Sequence, residues 1–312
     1  MTILITGSSG FVGSALCRTL RERGFAVRPA GRSSRNARLP DLGGIADYTA
    51  LCEGVGTVVH CAARVHGSSS AGESDDALFR KVNVDGTLSL ARQAVDAGVR
   101  RFVFLSSIKV NGEASRPGKP FRASDAPAPS DAYARSKAEA EVALLDLGER
   151  SGLDVVIVRP PLVYGPGVRA HFLKMMEWVA RGVPLPLGGI QSNRRSLVAV
   201  DNLIDLLTVC IEHPAAAGRV FLVSDGEDLS TSALLRRLAA AMDTPARLFP
   251  VPGWMLRVGG RLVGLGDEVC RLSESLQADI SETRALLGWR PPIDVDEGFR
   301  RVAGSDWRGR TA

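Results

Sequence analysis

Aromatic residues make up only 5% of the 312-residue chain, with three tyrosines and four tryptophans. Such a chain must pack with aliphatic side chains. Cysteine is as sparse: Cys17, Cys52, Cys61, Cys210 and Cys270 are odd in number, and none forms a CxxC pair. This excludes a disulfide scaffold and points to a reducing, cytoplasmic setting with cysteines as small core residues. The four histidines, His60, His66, His171 and His213, show no metal-ligand spacing, so no metal is expected. No uncharged apolar run reaches the ~18 residues of a membrane-spanning helix. The opening MTILITGSSG has neither the basic segment nor the apolar stretch of a signal peptide. The net charge, 39 basic against 34 acidic residues, is only +5. That is too small an excess for a duplex-binding surface and better suited to an anionic small molecule, so no nucleic-acid partner is expected.

What is present is ordinary globular composition, 45% hydrophobic and 23% charged, with 33 glycines for tight turns. Short apolar runs at 2–6, 25–30, 57–62, 101–105 and 154–158 read as strands. Helical spacing at 10–23, 75–97 and 131–147 falls between them. Alternation of this kind predicts an α/β Rossmann fold, a doubly wound parallel sheet with helices on both faces. After Pro160 the regularity breaks, with helices expected at 168–181, 201–212, 230–242, 253–265 and 281–287 and a strand at 220–223. The expected organisation is a dinucleotide-binding domain at 1–165, with 194–223 returning to it. A smaller, mostly helical substrate lobe would come from 166–193 and 224–312.

Thr6-Gly7-Ser8-Ser9-Gly10-Phe11-Val12-Gly13 separates the first strand from the first helix. Glycines there allow a tight turn and close backbone approach to a pyrophosphate, and the helix N-terminus adds free N–H groups. Gly7, Ser9, Gly10, Phe11, Val12 and Gly13 are therefore the expected cofactor cradle. The end of the second strand should choose the cofactor, because a carboxylate there grips the ribose 2′-hydroxyl of NAD. The stretch Val27 to Arg35 has no carboxylate. Arg32, supported by Ser33 or Arg35, could receive a 2′-phosphate, which favours NADP over NAD.

Tyr133 and Lys137 stand one helical turn apart, in YARSK, and share a helix face. Ser107 follows the fourth strand, at the sheet edge where open α/β folds bind ligands. Moving a hydride to or from a carbinol carbon requires a proton transfer at its oxygen. A phenol with pKa about 10 is a poor base near neutrality. A nearby ammonium would depress that value, and Ser107 could donate a hydrogen bond to the same oxygen. Ser107, Tyr133 and Lys137 are thus the candidate catalytic residues.

With these segments and HCAA at 60–63, VNVDGT at 82–87, FLSSIKVNGE at 104–113, RPPLVYGPG at 159–167 and RRSLVAVDNL at 194–203, nearly the whole chain resembles the extended short-chain dehydrogenase/reductase family. The likeness is to its nucleotide-sugar epimerase/dehydratase branch. The resemblance implies that Tyr133 is the acid/base, with Lys137 its partner and a ligand of the nicotinamide ribose. It places Asp47, Ala62, Ala63, Asn83 and Pro160 near the cofactor, Asn83 by supporting the active-site helix. It places Lys109, Tyr164 and Arg195 at the substrate, Arg195 on its diphosphate. The family's late RRxGD motif is missing, and Arg271 is the expected substitute. The usual VYG after the serine is Val110-Asn111-Gly112, and the expected acid is Gly31. A homodimer through a helix bundle is the family precedent.

The implied activity is hydride chemistry at C4 of a UDP-hexose or UDP-N-acetylhexosamine, in polysaccharide biosynthesis. A 4-epimerase would hold NAD tightly, whereas a 4-keto-reductase would spend NADPH. The missing carboxylate inclines the sequence reading toward the reductase. A non-catalytic dinucleotide sensor is a third reading, disfavoured because both Tyr133 and Lys137 are kept. The apolar stretch 254–263 reads as a packed helix rather than a membrane-surface one. His60 and Cys61 read as core, and Arg64 and His66 as loop residues near the ligand edge.

Overall fold

The structure, a computed structural model, describes residues 1–31, 42–43, 46–65, 75–116, 118–253, 255–256, 258 and 266–307. Its strands are β1 (Thr2–Thr6), β2 (Ala26–Ala30), β3 (Val55–His60), β4 (Arg101–Leu105), β5 (Asp154–Arg159), β6 (Leu162–Tyr164), β7 (Arg195–Ala199), β8 (Arg219–Leu222) and β9 (Asp228–Leu229). Six of them form one all-parallel sheet in the order β2-β1-β3-β4-β5-β8. The order reverses beside β1, whose neighbours are β2 and β3, and such a switch point leaves a crevice at the carboxyl edge.

The strands are buried on both faces, which is why they read as continuous apolar runs. Alternate residues serve the two sides. Ile3, Ile5, Val59, Val103, Val156 and Val158 join Leu16 and Leu20 of α1 (Phe11–Glu22) in one core. Leu4, Val58, Phe102, Phe104 and Ile157 join another with Leu90 and Ala94 of α4 (Gly86–Asp96) and Ala140 and Leu144 of α5 (Ala132–Ser151). A third core gathers Tyr164, Phe172, Leu234 and Phe299 from β6, α6 (Ala170–Ala180), α8 (Thr231–Ala241) and the helix Val295–Ala303. A small sheet, β6-β7-β9, lies beside it.

Two expectations shift. The third strand leaves the sheet at His60, not Ala62, because Cys61 and Ala62 pack on the glycine turn. The helix expected at 75–97 is three pieces: Asp75–Arg80, a π-helical turn at Lys81–Asp85 and α4. Hydrophobic period cannot reveal such a turn, which carries the buried Asn83. Most of the helix expected at 253–265 lies outside the described residues. Among those described, no helix is long and apolar enough to cross a membrane.

Candidate active site

The glycine turn is built by close approach. Gly7 has φ +68°, and a Cβ on it would lie 2.7 Å from the Ala62 amide nitrogen. A Cβ on Gly13 would lie 2.2 Å from the Gly7 carbonyl oxygen. Both clashes are with backbone, so neither position tolerates a side chain. Gly10 opens α1 without any side-chain cap, which leaves the amides of Phe11 and Val12 available to an anion. These donors fit a pyrophosphate. Thr6 Oγ1 meets His60 Nδ1 at 2.8 Å, and Thr87 Oγ1 meets His60 Nε2 at 3.1 Å. Burial pushes the His60 pKa down to about 3, so this imidazole is a neutral structural group. Asp47 accepts a bond from the Thr49 amide, just ahead of the short helix Thr49–Cys52. Arg32, Ser33, Arg35 and His66 lie outside the described residues. A Cβ on Gly31 would point at the Ser8 and Ser9 hydroxyls, 2.9 and 3.2 Å away. The position of the missing acid therefore lies beside the glycine turn.

Ser107 follows the carboxyl end of β4, where the Lys137 side chain also ends, and Tyr133 stands one helical turn before Lys137 on α5. Ser107 is extended and caps a 3-10 turn, Ile108–Val110. Asp131 caps α5, accepting from the Ala134 amide at 2.7 Å, and its other oxygen pairs with Lys109 Nζ at 2.5 Å. Burial works against ionisation of Asp131, but the Lys109 and Ala134 bonds outweigh it and hold the carboxyl below its usual range. Tyr133 lies edge-on to Phe79, and no described residue accepts a hydrogen bond from its hydroxyl. Lys137 is fully buried. Its ammonium donates to the Leu105 carbonyl at 2.8 Å and sits 4.3 Å from the centre of the Phe104 ring.

The charges correct one expectation. The phenol of Tyr133 is not depressed by Lys137 but pushed up to about 12, first by burial and then by the Asp131 carboxylate. Lys137 instead yields: burial brings it down to about 8, opposed by Cys61 and Glu141. The Lys137 ammonium is spent on Leu105 and Phe104, so Tyr133 holds its proton and Lys137 is the group poised near neutrality.

Asn83 ties the loop after β3 to α5. Its carbonyl accepts from the Arg64 amide at 2.8 Å, and its amide donates to Ser136 Oγ at 2.9 Å. Ala62 sits on the turn through its amide, 3.4 Å from Thr6 Oγ1, with Ala63 next along the chain. The Pro160 carbonyl accepts from Ile108, placing Pro160 against the Ser107 turn. Arg195 Nη1 donates to the carbonyls of Arg271 and Glu274, so the Arg195 side chain rests on the backbone of Arg271. Tyr164 does not join them. Its hydroxyl donates to Asp225 at 2.8 Å and its ring stacks on Phe172 inside the third core. Gly298 explains the direction, since a Cβ there would lie 2.4 Å from that hydroxyl.

One cluster escaped the sequence reading. Beneath Ser107, the carboxylate of Glu141 takes a bidentate pair from Arg159, Nε to Oε1 at 3.0 Å and Nη2 to Oε2 at 2.5 Å. Ser106 Oγ also donates to Glu141, and Arg159 Nη1 donates to Asn111 Oδ1 at 3.0 Å. The available signal was the four-residue step from Lys137 to Glu141 on a face that must be buried.

Comparison with known proteins agrees with this geometry. Residues 3–224 match the model of the NAD dependent epimerase/dehydratase family. A UDP-glucose 4-epimerase of Vibrio cholerae is 46% identical over 97% of this chain and 94% of its own. The crystal structure of a UDP-glucose 4-epimerase from Thermotoga maritima with UDP-glucose superposes with a TM-score of 0.75 at 22% identity, covering 100% of this chain and 99% of that one. RMD from Pseudomonas aeruginosa complexed with NADPH gives 0.76 at 22%, covering 98% and 99%.

Proposed function

The chain belongs to the NAD dependent epimerase/dehydratase family, and from that premise we propose that it is a UDP-hexose 4-epimerase. The 46% identity to a UDP-glucose 4-epimerase along nearly the full length of both chains carries this choice, against the reductase favoured by the sequence. The nicotinamide cofactor supplies, when bound, a place for a hydride to leave C4 and return. The phosphates would rest on the amides of Phe11 and Val12.

The chain's own residues handle the proton. Tyr133 takes the C4 hydroxyl proton as the carbinol is oxidised and gives it back when the ketone is reduced. Ser107 donates a hydrogen bond to the same oxygen and orients it. Because Tyr133 is held protonated by burial and by Asp131, its action as a base needs added positive charge nearby. Lys137 supplies this once its ammonium turns from the Leu105 carbonyl toward the site. Asn83 keeps α5 in register with the loop after β3. Arg195 and Arg271 approach the substrate diphosphate; Nη1 of Arg195 is committed to carbonyls, leaving Nη2 for phosphate oxygen.

NMR of UDP-glucose and UDP-GlcNAc incubated with the protein and NAD tests the reading. Appearance of the C4 epimer of either is expected. A second reading rests on Gly31, which leaves the ribose edge without a carboxylate. If neither sugar epimerises while a UDP-4-keto-6-deoxy sugar consumes NADPH, the protein is a reductase. Nucleotide binding with no turnover of any of these would leave the dinucleotide sensor.

A further inference from the structure

Tyr133, Lys137 and Glu141 occupy successive turns of one face of α5. The first two are the candidate acid/base and its partner, while the third ends inside the protein. The Glu141 and Arg159 side chains are each only 4% exposed. Burying an ion pair is expensive, and apolar residues of similar volume often stabilise a fold as well or better. Stability alone therefore gives little reason for these charges, and their position gives another.

Each end of the pair holds a segment that enters the site. Ser106 donates to Glu141 through its hydroxyl and to the Val158 carbonyl through its amide, so the residue before Ser107 is pinned twice. Ile108, the residue after Ser107, donates to the Pro160 carbonyl. Arg159 precedes Pro160 and reaches Asn111, which closes the 3-10 turn. Asn111 in turn donates to the Arg122 carbonyl at 2.8 Å. Beside it, Phe121 bonds through its backbone to Gln277 and Asp279, on the segment following Arg271. One buried ion pair thus links the serine turn, the Tyr–Lys helix and the loop that leads to the arginines.

We propose that the Glu141–Arg159 pair is a positioning device, which fixes Ser107 relative to Tyr133 and Lys137. The proposal rests on hydride chemistry at this site, whichever sugar is used. Neither residue touches substrate; both act through Ser106, Asn111 and the helix face. Glu141 also lends Lys137 part of the negative potential that keeps its ammonium charged.

Three variants test this. The double exchange Glu141→Leu with Arg159→Met removes both charges and should fold with little change in melting temperature. Its kcat should fall about 100-fold, the scale of a misplacement of roughly 1 Å, while cofactor affinity and sugar KM stay within about threefold. Ser106→Ala should lower kcat about tenfold and leave no charge unpaired. Glu141→Gln should move the Lys137 titration, followed by NMR of 13Cε-labelled lysine, to lower pH. That titration does not depend on turnover, so it still decides the proposal if the wild type acts on none of the sugars tried. A stable double variant with wild-type kcat would overturn the proposal, as would an unmoved Lys137 titration in Glu141→Gln. If Glu141→Gln does not fold, the double variant and Ser106→Ala decide alone.

Discussion

Two tyrosines with an aspartate close by meet opposite fates in this fold. Tyr164 spends its hydroxyl on Asp225, which also accepts from the Ala199 amide and from Asn202 at 2.7 Å each. Tyr133 has Asp131 two residues away, but both carboxylate oxygens are taken, one by the Ala134 amide and one by Lys109. The same pairing of residue types gives a closed structural lock in one place and an uncommitted phenol in the other. A hydroxyl can do chemistry only where its neighbours are already satisfied.

The sharpest way to break this contrast is to remove each hydroxyl. Tyr133→Phe should cut turnover by about 10²–10⁴-fold, with cofactor affinity changed less than about twofold. Tyr164→Phe should leave kcat within about threefold but lower stability by about 1.5–3 kcal/mol, the worth of a buried bond to a carboxylate. Steady-state kinetics beside urea unfolding separate the outcomes. Equal losses of turnover in both variants would end the distinction.

The two neighbourhoods should also respond oppositely to acid. His60, beneath the glycine turn, ordinarily titrates at 6.5 but is held to about 3 by burial. Its contribution to stability is complete above 6.5 and is lost as pH falls toward 3, because unfolding lets the ring take a proton. Burial raises Asp225 from 3.8 to about 6, against the bonds it accepts. Its contribution is complete below 3.8 and is lost as pH rises through 6, because the folded state binds the proton more readily. Each slope can approach ~1.4 kcal/mol per pH unit. His60→Gln should flatten the acid loss of stability, and Asp225→Asn should steepen it. Unfolding free energies from pH 7 to pH 4 that move in the same direction in both variants would refute the opposition.

At the cofactor end, the counterpart of the uncommitted phenol is an unfilled position. Gly31 stands where the sequence reading expects a ribose-gripping carboxylate, and the nearest obstacles to a side chain are the Ser8 and Ser9 hydroxyls and the Ser9 amide nitrogen at 3.3 Å. The hydroxyls can rotate aside, and the amide nitrogen need give by only a few tenths of an ångström. Gly31→Asp should therefore fold and shift preference toward NAD over NADP by about tenfold, or 1.4 kcal/mol, in binding titrations. No shift would remove this position from cofactor selection.

What could be read in advance follows the range of the physics. Strand runs such as DVVIV and turns such as Gly7–Gly13 are local patterns with few alternatives, and they announced the parallel sheet and the tight turn at its carboxyl edge. Tyr133 and Lys137 are four residues apart, so their shared face was legible. The direction of Lys137 was not: its carbonyl acceptor, Leu105, is 32 residues away and visible only when β4 and α5 pack. The expected acid shift of Tyr133 failed for that reason. Tyr164 misled because its motif fixes the backbone, whereas Gly298, far along the chain, opens the space its hydroxyl fills. The Glu141–Arg159 pair is likewise a product of packing between α5 and β5, with no short-range signature for Asn111.

The smallest effects lie in the pair that satisfies Asp131. Lys109 and Asp131 are 39% and 36% exposed at their side chains, and half-exposed ion pairs contribute only about 0–1 kcal/mol. Lys109→Met should therefore cost less than ~1 kcal/mol. Asp131→Ala loses the same pair and also the cap of α5, which adds about 0.5–2 kcal/mol. Asp131→Asn keeps an oxygen for the Ala134 amide and removes the charge that pairs with Lys109 and raises Tyr133. It should leave the helix intact and move to lower pH the limb on which the rate rises with pH, which Tyr133 sets as the base. If Asp131→Asn destabilises the protein as much as Asp131→Ala, the charge rather than the cap holds the helix start. A raised KM for the sugar in Lys109→Met, with stability unchanged, would give Lys109 a part in binding substrate.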